Sequence, residues 1–526
     1  MTEVLLPEGF STFTDLRTQE GFYIDKTEHL QALTEQSRAV FFRRPKQFGK
    51  SLLVSTLASL FKYGLRDFVG LAIEKTWTHT RTYTVIAMDF AKLPEVDTAD
   101  AFEKAFEDYI LDLCRPYGFT YKGFETFKLF ALDSWFSQQP NRSVVFLIDN
   151  YDVPLLRSKH DKALFKCIGN TLNEFFAILK SCNSAIRFLF LTGITRFEKW
   201  HRCAALNYVC DLTYESRLAT IAGFTEDELK DHFADDLAAA AKVHGLTVPQ
   251  LIDQLRDYYG HHCFDGSCQS KVFAPTSIFK FFASKDYAFR PYWALCDDTI
   301  EPLVSDCRVC RWGGAFPFLK PVPIEPNMRF LSAEPDQNWD VPAYLFQSGY
   351  LTIQETLGDS AVMLGYPNRE VTSTMAKLSV DVLVNDSAFK IADLKTALTT
   401  GDVPALVKHL NLALSHWCPQ LPINTFDALL GAMQIFFLSL TDDHEINVVT
   451  TNASPDIYLT VNSHHWHFLL LFGNVKPHTN TPLDTEKEGQ HNAEPNMATP
   501  HRHSISLTLN YDSEPHQAHV LHGHTA

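Results

Sequence analysis

One stretch, RAVFFRRPKQFGKSLLVSTLASLF (residues 38–61), limits the possible folds more than any other. It reads as a short apolar strand from Ala39 to Phe42, a bend at Pro45, and then Gly49-Lys50-Ser51 opening an amphipathic helix. A strand that feeds such a triplet at a helix N-terminus has the layout of a phosphate-binding loop. Backbone N–H groups and the positive end of the helix dipole hold phosphate oxygens there. In that layout Lys50 reaches the outer phosphates and the Ser51 hydroxyl ligates Mg²⁺. The full pattern asks for glycine at position 44, where this chain has Arg44 followed by Pro45.

The triplet alone is a weak signal and gains meaning from the segments downstream of it. TVIAMDF (84–90) reads as a buried β-branched strand ending in Asp89, and residues 98–138 carry a helical period of apolar positions. SVVFLIDNYDVPLL (143–156) is an apolar run that delivers Asp149 at its carboxyl end, where a carboxylate can hold Mg²⁺ through water. RFLFLTGITRF (187–197) is a further buried strand, ending in Thr192 and followed by Arg196. A polar group at that strand end senses γ-phosphate in ATPases that place an extra strand between the loop strand and the Asp strand. Strands alternating with helices predict a parallel sheet covered on both faces. Ligands of such sheets sit beyond the carboxyl ends of the strands, where Lys50, Asp149 and Thr192 all fall.

Composition narrows the class. At 526 residues the chain is long enough for two or three domains, and 45% hydrophobic residues, with 41 Phe, supply sizeable cores. A formal charge of −16 argues against a nucleic-acid coat, although a local basic groove stays open. The N-terminus has no basic region followed by an apolar run. ALLGAMQIFFLSL, the longest apolar stretch of the C-terminal half, is too short to span a bilayer comfortably. Eleven scattered cysteines then read as reduced thiols, and the expectation is a cytoplasmic protein with no membrane partner.

YIDKT (23–27), RPKQFGKSLL (44–53), MDFA (88–91), LIDNYDVPLL (147–156), LTGITRF (191–197) and ATIAGFTEDEL (219–229) occur in register. Together they resemble the predicted AAA-ATPase-like family found with a C-terminal PD-(D/E)XK nuclease-like domain, over roughly residues 5–475. Arg at the first-glycine position belongs to that family's pattern. The resemblance implies ATP and Mg²⁺ as cofactors. It places Arg44, Lys46, Phe48, Gly49, Lys50, Ser51 and Leu52 at the nucleotide, and the metal on Ser51 and Asp149. Catalytic roles would fall to Asp149, Asn150, Thr192 and Arg196. Two departures matter. The family's DEYD is Asp149-Asn150-Tyr151-Asp152 here, and an Asn amide can orient water but cannot take its proton. The arginine pair of the family loop is Lys46-Gln47.

The implied fold is α/β. A P-loop (ASCE/AAA-like) parallel sheet occupies 1–222, a helical lid opened by the Thr225–Glu228 capping box 223–295, and a connector 296–365. A degenerate restriction-endonuclease-like domain would follow at 366–475. That domain class needs an Asp and then Glu-x-Lys on the next strand. Here Asp456 fits the first position, but Leu471 and Gly473 stand at the other two, so no nuclease activity is expected. His261, His262, Cys263 and Cys268, with the pair Cys307 and Cys310, also permit a zinc reading. The family resemblance already accounts for the first group, and a lone CxxC is weak. Residues 476–526, with eight histidines, read as a disordered tail. The favoured function is ATP binding with hydrolysis slow or lost, coupled to a protein partner or a second copy of the chain. The rivals are a competent ATPase in nucleic-acid processing, with Asp152 or another carboxylate as base, and a scaffold with a vestigial site.

Overall fold

The computed structural model describes residues 12–121, 128–197, 206–284, 286–294, 322–324, 341–357, 361–384, 388–417, 423, 425–441, 446–450, 456–461, 464–472, 503–512 and 517–525. The chain divides into two units: Met1–Tyr287 with Pro321–Asn368, and Ala288–Lys320 with Arg369–Ala526.

The first unit is built on five parallel strands: β1 (Ala39–Arg43), β2 (Thr84–Asp89), β3 (Val144–Asp149), β4 (Ile186–Gly193) and β5 (Cys210–Asp211). Their order across the sheet is β2-β3-β4-β1-β5. β4 therefore lies between the loop strand and the Asp strand, as the sequence reading expects. β1 and β3 are buried at every position, and β4 at all but one, which is why these strands read as unbroken apolar runs. On the outer strand β2, Ala87 is exposed. Helices Lys50–Tyr63, Ala99–Cys114, Lys128–Ser137 and Lys162–Ser181 connect the strands. Parallel pairing needs such crossovers, and it brings all the carboxyl ends to one edge. Asp89 pairs with Asp149 in register, and Phe42 with Thr192.

The segment expected to form a lid begins at the capping box, with Thr225 and Glu228 each bonded to the other's backbone N–H. The sequence reading runs one helix onward from there. The structure breaks it at Phe233, whose backbone leaves the helical region, into Glu226–His232 and Ala234–His244. Val248–Tyr259 and Pro275–Ala283 complete the helices, with a short hairpin of His262–Cys263 and Lys271–Val272 between them. Residues 341–357 and 361–368, which the sequence reading assigns to the connector or to the start of the next domain, belong to this unit. Tyr214 and Phe346 stack 5.7 Å apart, and the Arg196 N–H donates to Gln347 Oε1 at 2.6 Å.

The second unit contains helices Arg369–Leu383, Ile391–Thr400, Val403–Ser415 and Phe426–Leu438 and a mixed five-stranded sheet. The strands Ile446–Thr450, Asp456–Val461, His464–Phe472, His503–Asp512 and Gln517–Thr525 lie in chain order. All neighbours are antiparallel except His464–Phe472 beside His503–Asp512. Ile457, Leu459, Trp466, Phe468 and Leu470 are buried, and the Trp466 indole N–H donates to the Leu398 carbonyl. The last two strands correct the expectation of a disordered tail. HSISLTLNY alternates apolar and polar residues, the period of a strand, and the histidine-rich composition around it conceals that period. Asp456 heads its strand opposite Leu469, and Leu471 lies one strand over, while Gly473 falls outside the described residues.

Candidate nucleotide site

Two left-handed backbone positions, Gln47 (φ 60°) and Gly49 (φ 89°), shape the loop between β1 and the helix Lys50–Tyr63. A Cβ on Gly49 would meet nothing, so it is the positive φ and not crowding that calls for glycine there. Alternating left- and right-handed residues turn successive N–H groups to one side, the concavity that receives anions. The first turn of the helix then points its N–H groups the same way.

Lys50 follows directly and is only 6% exposed. Its ammonium donates to the Pro45 carbonyl at 2.8 Å. Burial lowers its pKa to about 8, against the opposing pull of Asp149 and Asp152. The Ser51 hydroxyl donates to Asp149 Oδ2 at 2.5 Å, so the two expected metal-side groups meet. Asp149 is buried at the end of β3. Burial raises its pKa, the Ser51 bond and the Lys50 charge lower it, and the Asp89 charge raises it again. Asp149 Oδ1 and the Thr192 hydroxyl are both buried and have no hydrogen-bond partner among the described residues. Buried polar atoms left unpaired cost stability unless something else satisfies them. A carboxylate, a hydroxyl and an ammonium converging on one helix N-terminus fit Mg²⁺ and a polyphosphate.

Alongside the loop opens a cavity of about 610 Å³, walled on its apolar side by Ile24, Ile221, Phe224 and Phe279 and bounded at the loop by Lys50 and Ser51. The volume lies in the range of small-molecule sites. Gly49, Phe48 and Leu52 also border it, as does Lys26. Lys26 pairs with Glu228 at 2.5 Å and so ties the N-terminal segment to the helix Glu226–His232. Burial lowers the Lys26 pKa, and the Glu228 charge opposes that shift.

Not every expected residue converges on this point. Arg44 is 1% exposed and turned into the fold. Its guanidinium donates to the carbonyls of Arg43, Thr213 and Leu218 and lies over the rings of Phe42 and Phe264. Burial brings its pKa down to about 9. It braces the loop from behind, because those carbonyls use its donors. Phe48 likewise packs on His262 and Phe264, a hydrophobic anchor for the loop. Lys46 is half-buried and its charge lowers the pKa of Lys50. Arg196 is ion-paired with Asp211.

Asn150 takes a left-handed backbone (φ 54°), and its side-chain N–H donates to Asp89 Oδ1 at 2.9 Å. Asp152, the rival base, is fully buried. Its Oδ2 accepts from the N–H groups of Ile194 and Thr195 and from the Thr195 hydroxyl, which pins the β4 turn. Gly193 is what lets that turn close, since a Cβ there would sit 2.4 Å from Asp152 Oδ1. Asp89 is the residue sequence reading leaves out of the site. The signal was present, an Asp ending a buried strand, but cross-strand register is not written in one segment.

Among the described residues no group of three His, Cys, Asp or Glu side chains could hold a metal ion. His262 is buried, with its pKa lowered to about 3 by burial, and Cys307 and Cys310 lie outside the described residues. No helix among the described residues is long and apolar enough to cross a membrane.

Residues 7–201 match the model of a family described as Predicted AAA-ATPase. Over 496 residues the chain is 26% identical to a protein of Azotobacter chroococcum mcd 1 described as an uncharacterized protein in the vnfD 5' region, with 89% of each chain covered. The matched family segment ends before the helix Glu226–His232 and before the second unit. The mixed α/β first unit with its five-stranded parallel sheet is consistent with a P-loop, AAA-like domain.

Proposed function

We propose that this chain binds Mg-ATP in the first unit and hydrolyses it slowly or not at all. One observation carries the reading: Lys50 is buried at a helix N-terminus beside a Ser51–Asp149 pair whose remaining oxygen is unsatisfied. Lys50, Gly49 and the helix N-terminus would hold the phosphates, and Ser51 and Asp149 the metal. Mg²⁺ bound there would neutralise charge on the phosphate oxygens. Thr192 is the candidate γ-phosphate sensor, and the apolar wall of Ile24, Phe224 and Phe279 suits the nucleoside. Arg196 enters this reading only through its pairing with Asp211, which holds the end of β4 to β5.

The slow-hydrolysis half of the reading comes from Asn150, which stands where the family pattern that the sequence resembles carries a glutamate. The second unit is read as a nuclease-like domain without its catalytic set, used as an interaction surface for a protein partner or another copy of the chain. Calorimetric titration with Mg-ATP tests the site. Lys50→Ala should lose roughly 1.5–3 kcal/mol, the range for hydrogen bonds to charged groups. Unchanged affinity would remove Lys50 from the site, and no binding by the wild-type protein would leave the scaffold reading.

A further inference from the structure

We infer that Asp89 is the carboxylate that takes the proton from the attacking water, so that the acid missing at Asn150 is supplied from the neighbouring strand. The inference rests on the Mg-ATP binding reading above and takes, of its two hydrolysis outcomes, the one in which ATP is cleaved slowly.

Register is the first ground. β2 and β3 pair with Asp89 opposite Asp149, so two carboxylates leave the same sheet edge side by side. The Asp89 charge reaches Asp149 and raises its pKa. Asn150 is the second. Its left-handed backbone turns the side chain toward β2, where Nδ2 donates to Asp89 Oδ1. The Ala91 N–H donates to the same oxygen at 3.1 Å. Two donors fix the carboxylate by Oδ1. Oδ2 accepts no hydrogen bond from any described residue, and Asp89 forms no ion pair among them. The residue is half-buried, held but still reachable by water.

Elimination is the third ground. Asp152 has three donors on one oxygen and no exposure, so it serves the β4 turn. Asp149 is committed to Ser51 and, in the nucleotide reading, to the metal. An amide has no basic lone pair to offer, so Asn150 orients Asp89 rather than replacing it. The chemistry balances without a further reactant. The water oxygen bonds to the γ-phosphorus, and the bond from that phosphorus to the bridging oxygen breaks. ADP leaves with the electron pair, and the water proton passes to the Asp89 carboxylate.

The test is Asp89→Asn in the full chain, a substitution that keeps an oxygen for the Ala91 N–H. Three quantities are read: Mg-ATP affinity by calorimetry, the Mg²⁺ concentration giving half-maximal ATP binding, and single-turnover hydrolysis. The first two should stay within about twofold, while hydrolysis falls roughly 10²–10⁴-fold, the scale of general-base assistance. Asp89→Glu, which keeps a carboxylate on a longer arm, should retain part of the rate. Unchanged hydrolysis in Asp89→Asn, or in Asp89→Ala where Asp89→Asn does not fold, overturns the proposal, as does wild-type protein that binds ATP but never cleaves it. A shifted Mg²⁺ requirement would assign Asp89 to the metal and overturn it too. Wild-type protein that does not bind ATP is a separate result, the failure of the nucleotide reading itself.

Discussion

Lys50 should destabilise the nucleotide-free protein, and Lys50→Met should therefore raise its melting temperature. The side chain is 6% exposed, and burial lowers its pKa from 10.5 to about 8. At about 1.4 kcal/mol per pH unit, that lowering corresponds to about 3 kcal/mol of stability withheld while the group is charged. The sign follows from proton binding. Between pH 8 and 10.5 the unfolded chain still holds the proton that the native Lys50 has released, so native stability rises with pH across that window. Below pH 8 the full penalty applies. Methionine removes the charge at similar length, but it leaves the Pro45 carbonyl without its donor, at about 1 kcal/mol. It also withdraws the cation that lowers the Asp149 pKa. A net gain of about 1–2 kcal/mol at pH 7 remains, or a few degrees in a unit of this size. The assay is a thermal melt of both proteins without nucleotide at pH 7 and pH 10, then with Mg-ATP. Groups that do not interact with Lys50 titrate alike in both proteins and cancel in the difference. The variant should melt higher at pH 7, lose that margin at pH 10, and gain less from Mg-ATP than wild type does. A variant that melts lower than wild type at pH 7, or a margin indifferent to pH, would refute the reasoning.

Two further outcomes concern residues that the structure places differently from their sequence motif or leaves without catalytic partners. Arg44→Met strips donors from three buried carbonyls but also removes a buried charge, so it should cost roughly 1–3 kcal/mol, the scale of one unsatisfied buried group, yet any protein that still folds should bind Mg-ATP within a few-fold of wild type; denaturation and calorimetry read the two effects separately. The full chain should leave plasmid and single-stranded DNA intact with Mg²⁺ or Mn²⁺, since Leu471 and Gly473 stand where the Glu and Lys of a nuclease site would share the metal with Asp456. Cleavage that survives purification and disappears in Asp456→Ala would make the second unit an enzyme.

What could be read from the chain alone was whatever a single segment carries. The apolar runs ending in Asp149 and Thr192 are visible as β3 and β4 because a strand buried on both faces has little room for polar residues, and the run ending in Asp89 is visible as β2 from its apolar stretch. The Gly49-Lys50-Ser51 turn is visible because a positive φ and a helix start each constrain residue type. Arg44 misled for a physical reason. An arginine next to a phosphate loop looks like an anion ligand, and only tertiary structure shows that the carbonyls of Thr213 and Leu218 take its donors. The strands at 503–512 and 517–525 were hidden by composition, although HSISLTLNY carries their alternation.

The DNYD segment shows why a motif should be divided by environment and not copied as a block. Its two acids end three residues apart, yet they meet opposite demands. Asp152 faces inward onto the β4 turn, where two backbone N–H groups and a hydroxyl fix it. It has no exposure through which to exchange a proton with water. Asp149 faces the helix N-terminus with one oxygen on Ser51 and the other unsatisfied, the condition of a group built to meet a cation. Between them, Asn150 adopts a left-handed backbone, which Asn tolerates better than most residues. A glutamate at 150 would bring a second negative charge against Asp89 and repel it. Asn instead donates to Asp89, which removes that repulsion and holds the neighbouring carboxylate in place. The substitution that reads in sequence as a lost base is, in this geometry, compatible with a base moved one strand over.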